Sequence, residues 1–140
     1  MAFVYSDAVL DAGLNHVADN TVALLILSAA PNGASNTVGA GPTVLAYKIG
    51  LNLSALTPAD NAGTGGGRKL SITAQTGFTA IASGTGTHLA LTNSPDNATF
   101  TGDTCHAVTE LNPDPSITSG ETWDMSVGID LVMKDPLEFT

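Results

Sequence analysis

The stretch WDMSVGIDLVMK, Trp123 to Lys134, alternates apolar and polar side chains. Trp123, Met125, Val127, Ile129, Leu131 and Met133 fall on one side, and Asp124, Ser126, Gly128, Asp130 and Lys134 on the other. A period of two belongs to a strand with one packed face. The same pattern runs through TVLAYKIGLNLS, where Leu45, Tyr47, Ile49, Leu51 and Leu53 share a face. Val22 to Leu27, KLSITA (Lys69 to Ala74), FTAIAS (Phe78 to Ser83), THLALTN (Thr87 to Asn93) and a segment within Phe100 to Thr109 supply further strand candidates. Turn-forming stretches such as PNGASNTVGAGP, TPADNAGTGGG, SGTG, NSPDN and NPDPSITSG separate them. None of these connections carries a helical pattern long enough for a parallel crossover, so the strands are expected to pair antiparallel. The predicted fold is mainly β, an antiparallel β-sandwich or jelly-roll-like double sheet.

One segment breaks the period. In SDAVLDAGLNHVADN, Ser6 to Asn20, Leu10, Leu14 and Val17 form a helical stripe, with Asp7, Asp11 and His16 away from it. Ser6 is placed to cap this helix, Asp7 favours its dipole, and Asn20 is a plausible stop. At 140 residues the chain has the length of one domain, and residues 1–140 are read as a single β-rich domain with a short N-terminal helix over about 6–20.

Charge narrows the partners. With 4 Lys and Arg against 13 Asp and Glu, the formal net charge is −9. Such a surface repels phosphate backbones and anionic headgroups, so no nucleic acid and no membrane is expected as partner, and the acidity is read as a solvated face or a match to a basic protein surface. The longest apolar run, Val22 to Ala30, is about half of the roughly 20 residues a spanning helix needs. The acidic segment before it lacks the basic residues of a signal peptide, so synthesis and folding in the cytoplasm are expected. Cys105 is the single cysteine, read as a small buried hydrophobe.

GTGGGRKL, Gly63 to Leu70, has the glycines and cations of a phosphate cradle, but Arg68 stands where the motif needs glycine and Leu70 where it needs a hydroxyl. It is read as a glycine-rich turn entering a strand. His16, His88 and His106 show no metal-ligand spacing and are read as solvent-facing or edge histidines; Cys105 and His106, adjacent on a strand, point to opposite faces. Asp124 and Asp130 are too far apart on one extended strand for a carboxylate pair and are read as solvating charges. Turn acids at Asp96, Asp103, Asp114 and Glu121 lack the order of a calcium loop. No nucleophile elbow is present. No enzyme activity, cofactor or metal is expected.

Taken in order, YSDAVLDAGLNHVADN, a strand, GGGRKLSITA, GTGTHLALTN and a closing VGIDLVMKDP resemble small virion structural proteins of tailed bacteriophages, of the head decoration or cement type. That resemblance implies a non-enzymatic β protein, a homotrimer, seated on the capsid exterior of the virion and bridging major capsid protein subunits. The alternative is a tail-associated or fibre-like adhesion module whose loops bind a host receptor or glycan. For either, the expected interface is the N-terminal MAFVY with Phe3 and Tyr5, the loops Pro31 to Pro42 and Leu56 to Gly67, and the cations Arg68 and Lys69. Core packing by Phe3 and Tyr5, and carboxylate pairing by Arg68 and Lys69, are the competing readings.

Overall fold

The segment ALLIL has no polar side chain to offer solvent, and it forms the strand β1 (Ala23–Leu27), buried at every position. A strand apolar on both faces requires cover on both. The computed structural model, which describes residues 5–31, 43–61, 66–94, 100 and 103–134, provides it. Leu24 and Ile26 join one core cluster, while Leu25 and Leu27 join another with Ala90 and Phe100. β1 pairs antiparallel with β2 (Val44–Ile49) on one side and β7 (His88–Thr92) on the other. Outward from these lie β5 (Gln75–Ala80), β10 (Thr122–Met125) and β8 (Cys105–Glu110), giving a six-stranded sheet in the order β10-β5-β2-β1-β7-β8.

A second sheet has three strands in the order β11-β4-β3, from β11 (Ile129–Met133), β4 (Arg68–Ile72) and β3 (Ala59–Asp60). A two-stranded ribbon joins β6 (Gly84–Thr85) to β9 (Ser116–Ile117). Leu70 and Ile72 of β4 and Leu14 and Ala18 of the helix α1 (Asp7–Asn20) share the larger core cluster with Leu24, Ile26, Leu89 and Leu91 of the central strands. The fold is therefore mainly β, sandwich-like, with antiparallel sheets and, among the described residues, one helix, as the alternation predicts.

The long alternating stretch near the C-terminus is not one strand. It is β10 in the six-stranded sheet and β11 in the three-stranded one, interrupted at Ser126–Gly128. Its partner changes sheet at the same place: β5 pairs with β10, and β4, just before β5, pairs with β11. A single antiparallel ribbon thus bends from one layer into the other, the usual way to make a sandwich corner. Between the pairs Ile129↔Ile72 and Met125↔Gln75 one strand advances four residues (129 − 125) and the other three (75 − 72), so one extra residue is taken up in the bend. Gly128 is required there, because a Cβ would lie 2.6 Å from the Ile72 carbonyl oxygen. Val127, which the alternation places on the packed face, is 73% exposed.

Other expectations need similar correction. β2 stops at Ile49, where Gly50 turns with φ +74°, so Leu51 and Leu53 reach the core from outside a strand. Asp124 and Asp130 are structural acceptors. Asp124 accepts the Gly77 N–H at 2.7 Å, and Asp130 accepts the Ser71 hydroxyl at 2.6 Å. Gly77, with φ +80°, lies in a register shift of β5 against β10, and Lys48 donates to the adjacent Thr76 carbonyl at 2.7 Å. Side chains thus satisfy backbone groups released by the bulge. Leu56 to Gly67 is not wholly loop, since β3 lies within it, and Asn61 binds the carbonyls of Gly66 and Gly67 through its side-chain and backbone N–H groups.

Candidate functional site

The helix α1 brings the predicted features together. Its buried residues are Leu10, Leu14 and Ala18, with Val17 half-buried, close to the predicted stripe. Ser6 occupies the N-cap position by backbone conformation, but its hydroxyl makes no capping bond; the Ser6 carbonyl accepts from Val9 and Leu10 instead. At the other end Asn20 donates from Nδ2 to the His16 carbonyl at 2.8 Å, so the predicted stop residue caps the last turn.

Asp11, expected to face solvent, receives a two-pronged contact from Arg68: Nε to Oδ1 at 2.6 Å and Nη2 to Oδ2 at 3.0 Å. Nη1 of the same guanidinium reaches Asp60 on β3, and Nη2 also reaches the Pro58 carbonyl at 3.2 Å. Arg68 therefore ties the helix to both β4 and β3, and its side chain is 15% exposed. The two carboxylates raise its proton affinity above the ordinary arginine value, against the opposing effect of desolvation. Fork geometry is what arginine supplies and lysine does not. Lys69, on the other face of β4, lies 3.6 Å from Asp130. The glycines ahead of them behave as the turn reading requires: Gly66 and Gly67 have φ +59° and +86°, and β4 follows directly.

Tyr5 stands exposed just before the helix, and Phe3 lies outside the described residues, as do 32–42 and 62–65 of the expected interface loops. Tyr5 belongs to a larger set of exposed apolar side chains, with Val9 on α1, Val108 on β8, and Val132 and Met133 on β11. The last three line a groove of about 340 Å³ whose remaining walls are Gly13, Leu14 and Val17 of the helix, His106 and Ala107 of β8, and Leu131 of β11. Among the described residues both strands are edges of their sheets. Met133 lies over Gly13, where an added Cβ would fall 2.7 Å from its sulfur, the end of a flexible side chain able to move aside. A second cleft, of about 360 Å³, opens at the β10–β11 bend, where the half-buried Trp123 meets Glu110, Asn112, Asp124 and Ser126. Trp123 also packs edge-on against Phe78, ring centroids 5.2 Å apart.

The histidines hold a contact that sequence spacing did not show. His16 of α1 and His106 of β8 lie with ring centroids 5.7 Å apart at an interplanar angle of 80°. His88 is separate, its Nδ1 2.8 Å from the Thr87 hydroxyl. Cys105 is on the opposite face from His106, as adjacent strand residues should be. It packs against the Leu25, Leu27, Ala90 and Phe100 cluster, half-buried, and burial pushes its thiol pKa up. Among the described residues no three His, Cys, Asp or Glu side chains converge to hold a metal ion. Nor is any described helix long and apolar enough to cross a membrane. Comparison with protein-family models, with curated proteins and with solved structures finds no match to this chain.

Proposed function

We propose that this chain is a non-enzymatic virion structural protein of a tailed bacteriophage, a capsid decoration protein that binds the outside of the head as a homotrimer and bridges major capsid protein subunits. The observation that carries this reading is the set of exposed apolar side chains, Val108, Val132 and Met133, that rim the α1–β8–β11 groove. Apolar side chains clustered on one surface are the mark of a protein contact. The net charge of −9 favours a basic surface on the partner. A trimer gains affinity because docking of one subunit makes the next contacts intramolecular, and binding confined to the expanded lattice stabilises that lattice by mass action. Arg68, engaged with Asp11 and Asp60, serves such a contact by fixing the helix that presents it rather than as a free anchor.

A second reading, an adhesion module for a host glycan, draws support from the cleft beside Trp123, which sets an indole among carboxylate, amide and hydroxyl groups. One experiment separates the two. The purified protein is mixed with expanded capsids lacking it, with unexpanded procapsids and with host cells, and each mixture is sedimented. Co-sedimentation with expanded capsids, reduced by Val132→Asp in the groove rim and unaffected by Trp123→Phe, is the expected result. Binding to cells and to neither capsid form would sink decoration in favour of adhesion.

A further inference from the structure

The His16–His106 contact has features that a packing accident would not combine. His106 occupies the extra position in a bulge of β8: Leu91 pairs with Ala107 and Thr92 with Cys105, leaving His106 without a partner residue across the ladder. Bulges re-aim side chains, and this one turns the ring onto the helix, where it also lines the groove. Its Nε2 is shut away from solvent and has no hydrogen-bond partner among the described residues. An imidazolium needs an acceptor for each N–H, so this position suits the neutral ring. On the helix side, the orientation of the Asn20 amide is set by its bond to the His16 carbonyl, and the same Nδ2 lies 3.4 Å from His16 Nδ1. An amide N–H faces a ring nitrogen favourably where that nitrogen carries no proton, so the Asn20 amide suits the His16 tautomer with a bare Nδ1.

We infer that this pair is an acid-sensitive latch: with both rings neutral it holds the C-terminal half of α1 against β8, and protonation drives the rings apart and frees that half of the helix. The charges facing the pair do not relieve such repulsion. On α1, Asp19 lies one turn from His16 in sequence, and Asp11 is engaged by Arg68. On β8, Cys105 points to the other face and Glu110 lies four residues beyond. On β7 the residues flanking the bulge are Leu91 and Thr92, and β11 contributes Leu131, Val132 and Met133, with Lys134 following. The ion pairs found among the described residues involve neither ring.

The direction of the pH effect follows from linkage. Burial first, and His16 second, lower the His106 pKa below the ordinary imidazole value. The released state therefore binds a proton more readily than the docked one. Docking is at full strength above about pH 6.5, the value of a free imidazole, and weakens as the pH falls below it. Asp11 and Arg68 hold the first half of the helix by a separate two-pronged contact that does not involve the rings, so the response is confined to the second half.

The test is amide hydrogen exchange, corrected for intrinsic rates, at pH 7.5 and pH 5.0. Protection of residues 15–20 relative to the β1 amides should fall about tenfold or more at pH 5.0 in the wild type, that ratio corresponding to ~1.4 kcal/mol. His106→Phe, which keeps an aromatic ring and removes the titration, should hold the ratio constant between the two pH values. His16→Gln gives the same reading should the first variant fold poorly. A wild-type ratio unchanged between the two pH values would overturn the latch, as would equal acid loss in a folded variant, since that would place the sensitivity elsewhere.

Discussion

The central strands and the helical corner are held by different physics. β1 is buried at all five positions between β2 and β7, with neighbours on both faces and hydrogen bonds on both edges. The corner made by α1 with β4, β8 and β11 buries Leu10, Leu14 and Ala18, but its specific ties are a carboxylate–guanidinium fork and two imidazoles that meet edge to face. Hydrophobic burial is indifferent to pH and nearly so to position, whereas charged and titratable ties depend on both. The first kind of bonding makes a scaffold and the second an element that solution conditions are able to move. The exposed apolar rim proposed as the docking surface lies on the second kind.

Removing a side chain from the scaffold should produce the largest loss. Leu24→Ala deletes a fully buried side chain from the central strand and leaves a cavity between two layers, at a cost of about 2–5 kcal/mol. Chemical denaturation should show a lower midpoint with an unchanged slope, and hydrogen exchange should rise in β1, β2, β7 and α1 together, because the whole molecule opens. A rise confined to β1 would mean that the central strands are not the common scaffold.

Gly128→Ala tests the bend that joins the two layers. The added methyl would press on backbone atoms, the Ile72 oxygen at 2.6 Å and the Thr73 Cα at 3.3 Å, which cannot swing aside as a side chain would. A loss of about 1–3 kcal/mol is expected, read from denaturant midpoints, with exchange rising most in β10, β11, β4 and β5. A neutral effect would show that the ribbon does not need its close crossing.

How far these features were legible depends on the range of the interaction that sets them. The helix, the strands around Leu24, Leu45, Leu70, Phe78 and Leu89, and the glycine turn before Arg68 follow from neighbours along the chain, and period and turn chemistry reveal them. The break at Ser126–Gly128 was hidden, because Val127 keeps the alternation while standing in solvent. Gly128 was the one visible signal, since an isolated glycine in a strand pattern marks a bulge or a close backbone approach. The candidate site was less legible still. Arg68 and Asp11 are 57 positions apart, and His106 reaches His16 through a bulge that no local pattern announces. The two-residue strands β3, β6 and β9 are too short to carry a period at all.

The smallest expected effect sharpens the contrast most. Asp11→Asn keeps the shape of the side chain and one acceptor oxygen but removes the charge and one prong of the fork that Arg68 supplies. Arg68 retains Asp60 and the Pro58 carbonyl, so the second sheet should keep its β3–β4 pairing. The consequence belongs to the helix: exchange should rise over residues 7–14, while β1 and β7 amides, which report global opening, stay within a few-fold of wild type. The melting temperature should shift less than in Gly128→Ala. Adding salt to the wild type should reproduce only part of the effect, because a half-buried pair is screened less than an exposed one. Equal acceleration in α1 and β1 would refute the division, since it would make the helix part of the same cooperative unit as the central strands. Acceleration restricted to α1 would leave two regions of one sandwich with separate stabilities, the inner set by burial and the outer by charge.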